Sequence, residues 1–260
     1  MTTDTSDPTP VSNETIRTQL AHRTIRAFTD EPVSEDIITT LLEVARHSAT
    51  TAFQQQFTII RITDPDLRAE IGAVSTQPHV KSTAGELFIF VLDLHRNAQI
   101  REQAGADLAP LSRMNAYVHA HDDTLIAAQN MVVAAESLGL GTVYLGSINA
   151  DPRRMIRALG LPKYTYPIVG LIVGHAAQTP QCKPRLPLSV TTGVNAYPEL
   201  VDPAAQLEDY DREVQEYYGT RDTNTRVDSF THIIANNLGK GVAEQSPMLE
   251  VMHEQGLALQ

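Results

Sequence analysis

Residues 167–174 read PIVGLIVG, eight positions without a charge or a strongly polar side chain. A strand with one wet face alternates apolar and polar residues; this one does not, so both faces must be covered, and helices are the elements that cover them. Upstream, QFTIIRIT at 56–63 and ELFIFVLD at 86–93 are dense in β-branched and aromatic residues and read as strands, and TVYLGS at 142–147 reads as a third. Helical signals lie between them. Ser34 is an N-cap with Glu35 and Asp36 in the first turn, and Ile37, Ile38, Leu41, Leu42 and Ala45 recur at helical spacing. Residues 12–22 and 65–74 read as shorter helices, and Asp151–Pro152 starts another that stops at Gly160. The stretch from Asp122 to Leu138 carries alanines and aliphatics on nearly every face, which predicts a central helix surrounded by other elements and ended by Gly139 and Gly141.

The chain has 260 residues, 42% of them hydrophobic, enough for one large domain with an appended arm. A net charge of −11 argues against a sequence-independent grip on nucleic acid, which needs a basic field. The single cysteine, Cys182, rules out an intrachain disulfide framework and suits the cytoplasm. Residues 1–11, rich in Thr, Asp and Pro, read as a disordered tail without signal-peptide features, and no apolar run is long enough to span a membrane, so a soluble protein is expected. Residues 12–260 read as one domain. From about 178 its composition turns to QTPQCKPRLPLS, an extended arm, and then to a polar helical extension too poor in large apolar residues to build its own core.

Familiar catalytic signatures are missing: GxGxxG after a strand, GxxxxGK[ST], GxSxG, HExxH and paired cysteines do not occur. The HAHDD run at 119–123 resembles half of a metallo-hydrolase signature, with Thr124 where a third histidine is wanted. It reads more simply as a polar loop whose Asp122 or Asp123 caps the central helix. Two basic clusters remain, His22, Arg23 and Arg26, and Lys183 with Arg185. Together, in an acidic chain, they suggest one bound phosphate, gripped by the planar fork of arginine and the point charge of lysine. A third pair, Arg221 and Arg226, could close over a second phosphorylated ligand.

HRTIRAFTDEPVSE at 22–35, AFQQQFTIIRITD at 52–64, AAESLGLGTVYLG at 134–146, CKPRLP at 182–187 and EYYGTRDTNTR at 216–226 occur in register, and the chain resembles the nitroreductase family, in its oxygen-insensitive NADPH nitroreductase and flavin reductase group. The resemblance implies an α+β fold with a central, mainly antiparallel sheet covered by helices. It also implies a homodimer with exchanged arms, and FMN held noncovalently at the interface. Carried over position by position, it puts His22, Arg23, Thr24, Arg26, Lys183 and Arg185 around the FMN phosphate and ribityl chain. It sets Thr50, Thr51, Phe53 and Gln55 in the loop lining the flavin, Gln77 at the ring's polar edge, and Tyr144, Leu145, Gly146 and Ser147 at the strand end beside the ring. Arg26, Arg221 and Arg226 match residues associated with NADPH. Asn149 and Ser246 stand where close relatives carry arginine, Ala52 replaces a serine and Ser147 a glycine.

The implied activity is two-electron, ping-pong reduction of nitroaromatics and quinones by NADPH, with hydride passing through flavin N5 and no catalytic triad required. Two further readings compete: a flavin reductase whose acceptor is free FMN, and a flavin-binding protein without turnover. A metal-dependent hydrolase built on HAHDD is a third.

Overall fold

The computed structural model describes residues 11–82, 84–220, 226–237 and 246–260. In chain order its strands are β1 (Phe57–Ile62), β2 (Glu86–Asp93), β3 (Gly141–Leu145) and β4 (Thr165–Gly174). The helices are α1 (Glu14–Leu20), α2 (Glu35–Arg46), α3 (Pro65–Ser75), α4 (Pro78–Lys81), α5 (His95–Gln103), α6 (Met114–Ser137), α7 (Pro152–Ala158), α8 (Leu188–Thr191), α9 (Pro203–Gln206), α10 (Glu208–Gly219), α11 (Phe230–Asn237) and α12 (Met248–Glu254). Two compact units emerge: Met1–Gln178 with Met248–Gln260, and Thr179–Pro247.

The four strands form one antiparallel sheet in the order β1-β2-β4-β3. Because side chains alternate across a sheet, the all-apolar central strands feed two cores at once. Phe88, Phe90, Val169, Leu171 and Val173 pack with Leu41, Ala128 and Met131 of α2 and α6. Leu87, Ile89, Val91, Val143 and Ile172 pack on the opposite face with Ile71, Val74, Val80 and Met155 of α3, α4 and α7. A third cluster joins Leu92, Leu94 and Tyr166 to Val251 and Leu257, so the chain's last helix completes the first unit. Its seat is polar as well: Gln255 Nε2 donates to the carbonyls of Pro162 and Thr165, and Arg153 pairs with Glu250 and Glu254.

The pairing of β2 with β4 slips by one residue at Phe90/Val91. The extra residue, Ile168, has its carbonyl taken by Asn149 Nδ2 at 2.9 Å. Asn149 therefore fastens a bulge, the kind of feature that leaves a backbone group in need of a partner.

Most expected elements form, and the local caps behave as their chemistry dictates: Ser34 accepts from Ile37 N–H, and Asp151 from Arg154 N–H. Three expectations fail, two of them on the central helix and one in the C-terminal extension. The central helix does not begin at Asp122 but at Met114, with Arg113 as its N-cap, so HAHDD is a helical segment and neither aspartate caps anything. Histidines two apart on a helix point roughly 200° away from each other, so His119 and His121 cannot close on one ion. Nor is α6 enclosed within this chain: Met114, Val118, Leu125 and Ile126 are 43, 42, 38 and 46% exposed.

In the second unit, the Tyr210, Val214 and Tyr218 stripe of α10 is buried and gathers Leu186, Tyr217, Phe230 and Ile233 into a small cluster of its own. Tyrosine rings supply the apolar area that a count of aliphatics overlooks.

Candidate functional site

Residues 22–29 run as a strap along the sheet edge. Thr24 bridges Thr142 of β3, Ile25 N–H donates to the Thr142 carbonyl at 2.9 Å, and Phe28 bridges Ala176 past the end of β4. Ile25 is the strap's buried foot, seated against Gly141, while Arg26 is exposed and His22, Arg23 and Thr24 are half-buried. The strap is locked at its start by Glu136 in the last turn of α6. One carboxylate oxygen of Glu136 accepts from His22 Nδ1 at 2.6 Å and from Thr142 Oγ1 at 2.7 Å. Since a carboxylate can only accept, His22 carries its proton on Nδ1 here. A carboxylate in the final helical turn opposes the helix dipole, which is the one local sign that Glu136 needed partners.

Beyond β3 the chain turns through Gly146–Ala150, where Ser147 Oγ and Ser75 Oγ of α3 are 2.6 Å apart. Gln77 occupies the N-cap position of α4 without a side-chain capping bond, and His79 follows within the helix. His79 Nε2 is buried without a hydrogen-bond partner among the described residues, and the ring's pKa is held below the usual histidine range, first by burial and then by the Arg26 charge nearby. Gly146 has open space where a side chain would project. Tyr144 donates its hydroxyl to Gln129 Oε1 at 3.2 Å, and its pKa is raised, first by burial and then by Glu136, so the phenol keeps its proton. The strap residues, Gln77, Tyr144, Leu145, Gly146 and Ser147 thus share one neighbourhood, with an unpartnered nitrogen and an exposed guanidinium in it.

His79 also makes the fold acid-sensitive. Its folded pKa lies below the ordinary 6.5, so the unfolded chain binds a proton more readily, and stability falls as pH drops through and below about 6.5. The His79→Gln variant is expected to lose less stability than the wild type between pH 7 and pH 5; parallel urea midpoints for the two proteins across that range would contradict it.

Thr50, Thr51, Phe53 and Gln55 form a second group. Ala52, Phe53 and Gln55 have φ of 49°, 60° and 50°, a region that non-glycine residues occupy only when held there. The hold is visible. Asp123 of α6, 1% exposed, accepts from Thr51 N–H at 2.8 Å and from Gln56 N–H at 3.4 Å. On the carbonyl side, Arg96 of α5 donates to Gln55 O and Phe57 O while pairing with Asp93. An anion therefore holds the loop's amides and a cation its carbonyls; neither Asp123 in this role nor Arg96 was evident from sequence. Asp123 and Glu136 are thirteen positions apart on α6, so the anchors of the two groups lie roughly 20 Å apart along the helix axis at 1.5 Å per residue.

Lys183, Arg185 and Arg226 belong to the second unit. Lys183 and Arg185 are exposed, and Arg185 Nη1 donates to the carbonyls of Lys183 and Pro184. Arg226 is set by two contacts, Nε to Asp228 Oδ2 at 3.1 Å and its guanidinium over the Tyr218 ring at 4.2 Å. Asp228 is also paired with His232. Arg221 lies outside the described residues, as does the 1–11 tail apart from Val11.

Comparison with known proteins agrees with this architecture. Residues 20–175 match the model of the nitroreductase family, and residues 183–260 match that of the nitroreductase family C-terminal domain. The oxygen-insensitive NADPH nitroreductase of Salmonella typhimurium is 38% identical over 246 residues, covering 94% of this chain and 98% of that one. The NADPH-flavin oxidoreductase of Vibrio harveyi is 33% identical over 248 residues, covering 95% and 99%. Among solved structures, nitroreductase A from Vibrio parahaemolyticus superposes with a TM-score of 0.85 at 30% identity, covering 96% of this chain and all of that one. The NADPH:FMN oxidoreductase from Vibrio harveyi, solved with NAD+, superposes at 0.84 with 32% identity, covering 95% of this chain and 100% of that one. With sequence matches over both the sheet-bearing part and the C-terminal part, and with the strap, sheet and helices in place, the chain belongs to the nitroreductase family.

Proposed function

We propose that this protein is an NADPH-dependent FMN oxidoreductase that reduces nitroaromatics and quinones by electron pairs, acting as a homodimer in the cytoplasm. The observation that carries the reading is the neighbourhood of the strap. An exposed Arg26, an unpartnered buried His79 nitrogen and open space over Gly146 fit a phosphate with a flat ring beside it. His22, Arg23, Thr24 and Arg26 would hold the phosphate and ribityl chain, with Lys183 and Arg185 completing the charge. Gln77, Tyr144, Leu145, Gly146 and Ser147 would border one side of the ring, and Thr50, Thr51, Phe53 and Gln55 would line it. Bound FMN supplies the two-electron chemistry between NADPH and acceptor. The chain's part is to orient and neutralise: charge-assisted bonds to the phosphate fix the group, and Tyr144 stays neutral beside it.

The distance between the two anchoring points on α6 supports a site shared by two copies, the strap from one and the 50–55 loop from the other. The exposed Met114, Val118, Leu125 and Ile126 face supplies an apolar surface for that association. Light scattering at micromolar concentration is expected to return twice the chain mass. Among the described residues no helix is long and apolar enough to cross a membrane. The cytoplasmic assignment rests on the NADPH requirement and the lone, exposed Cys182.

The deciding experiment is the visible spectrum of the purified protein before and after anaerobic NADPH. Flavin bands that bleach on addition are expected, and a colourless protein that stays colourless with added FMN would defeat the reading. Turnover with free FMN compared with a quinone separates a flavin reductase from a quinone or nitro reductase; two relatives carry the flavin or FMN reductase activity in their names.

For the coenzyme, the resemblance associates Arg26, Arg221 and Arg226 with NADPH, and its 2′-phosphate would fall to Arg221 and Arg226. The Asp228 pair and the Tyr218 face hold Arg226 Nε and the guanidinium plane, which lowers the ordering needed to receive a phosphate. Arg226→Ala is expected to weaken NADPH by about ten- to a hundredfold relative to NADH, the equivalent of roughly 1.5–3 kcal/mol for a charge-assisted bond. Equal losses for both coenzymes would reassign Arg226.

A further inference from the structure

Beside the 50–55 loop lies a cavity of about 710 Å³, within the range that small-molecule sites occupy. Phe53 and Gln55 form part of its wall, and α5 and the start of α6 form the remainder through Ile100, Arg101, Arg113 and His119. Phe53 and Ile100 are 83% and 60% exposed in the single chain. Its electrostatics are one-sided. Among the described residues no aspartate or glutamate lines it, although the chain as a whole carries a net charge of −11. Arg96, also in the wall, is committed to Asp93 and the loop carbonyls. Arg101 uses Nε on the Asp107 carbonyl, and its terminal nitrogens have no partner among the described residues. The side chains of Arg113 and His119 have no hydrogen bond or ion pair among the described residues either, Arg113 bonding only through its backbone. The N-terminus of the 24-residue α6 lies at the same place, with its first amide, Met114 N–H, already donated to the Gln260 backbone oxygen at 2.8 Å.

We infer that this cavity is an acceptor annex selecting aromatic acceptors that carry an anionic group, a carboxylate or sulfonate. The apolar wall of Phe53 and Ile100 takes the ring, and Arg101 and Arg113 take the anion. The inference rests on the flavoenzyme reading above, because Phe53 and Gln55 belong to the loop assigned to the flavin, which sets the annex next to the point of electron delivery. For a nitro acceptor the first step is ArNO₂ + NADPH + H⁺ → ArNO + NADP⁺ + H₂O. One N–O bond breaks, its oxygen leaves as water, and the coenzyme loses the electron pair. The annex takes no part in that chemistry; it chooses which acceptor is presented.

The test uses the FMN-loaded protein with two acceptors of the same shape, 4-nitrobenzoate and 4-nitrobenzamide. The quantity read is the ratio of their kcat/KM values, compared between wild type and variants so that intrinsic differences in nitro reactivity cancel. Arg101→Ala with Arg113→Ala is expected to lower the ratio about tenfold or more through KM for the carboxylate. Arg113→Glu should lower it further than Arg113→Ala does, and the double lysine variant should recover part of the loss. The preference should also shrink as salt is raised from low to physiological strength, because Arg113 is exposed and Arg101 only half-buried. A ratio unmoved by charge removal and charge reversal, in a yellow protein that turns over 4-nitrobenzamide, overturns the annex and leaves the flavoenzyme reading standing. A colourless protein that reduces neither acceptor brings down both.

Discussion

Asp123→Ala is expected to cost about 2–5 kcal/mol of folding stability and to strip the protein of flavin. The carboxylate is buried and holds the Thr51 and Gln56 amides, both on the strained loop. Alanine leaves those two donors without an acceptor, at about 1–3 kcal/mol each. It also removes what keeps Ala52, Phe53 and Gln55 at positive φ, so the loop should relax toward ordinary backbone angles and lose its fit to the ring. Asp123→Asn should fall between the two, because its oxygen can still accept from Thr51 while its amide group confronts the Gln56 donors. Urea denaturation and ultrafiltration of bound flavin measure the two effects. An alanine variant within about 0.5 kcal/mol of wild type, the usual scatter for a surface change, would mean the carboxylate is not the loop's anchor.

Gly141→Val should act on the opposite group. A Cβ at Gly141 would stand 2.7, 2.9 and 3.0 Å from Ile25 side-chain atoms, closer than packed carbons approach, and valine adds two more carbons beyond it. Overpacking of this kind costs about 1–3 kcal/mol. Here the cheapest relief is to lift the strap, breaking the Ile25 N–H bond to Thr142 and shifting His22 and Arg26 together. FMN affinity is expected to fall at least tenfold, more than stability alone would suggest. Adding Ile25→Ala makes room for the valine and should restore part of the affinity, a non-additivity expected of contacting residues. Gly141→Val binding FMN as tightly as wild type would show that the strap's position does not set the grip.

Elements read correctly from sequence are those whose signals are local. Ser34 and Asp151 cap the helices they precede, and the apolar runs at 86–93 and 167–174 are central strands buried on both faces. The start of α6 was misread because the same local capping rule was applied to Asp122 and Asp123. What Asp123 does is decided by Thr51 and Gln56, more than sixty residues away, and no window sees that. Leu125 and Ile126, within the stretch read as enclosed, looked like core for a related reason: composition records that a helix is apolar, not whether its own chain covers it. The basic cluster of His22, Arg23 and Arg26, proposed above to hold a phosphate, stood out because basic residues are conspicuous in an acidic chain. Glu136 and His79, which fix and sensitise that cluster, did not stand out, since a single carboxylate or imidazole in a helix is ordinarily solvated surface.

The first unit is assembled from two stretches of chain, with Thr179–Pro247 spliced between them. Val251, Leu257, Gln255 and the Arg153 ion pairs hold the returning segment by side-chain and backbone contacts rather than by the continuity of the polypeptide. A single protease nick anywhere in the intervening stretch should therefore yield two fragments on a denaturing gel that still travel as one particle on a sizing column. Recombining separately made halves becomes a practical way to label one side of the protein isotopically without the other.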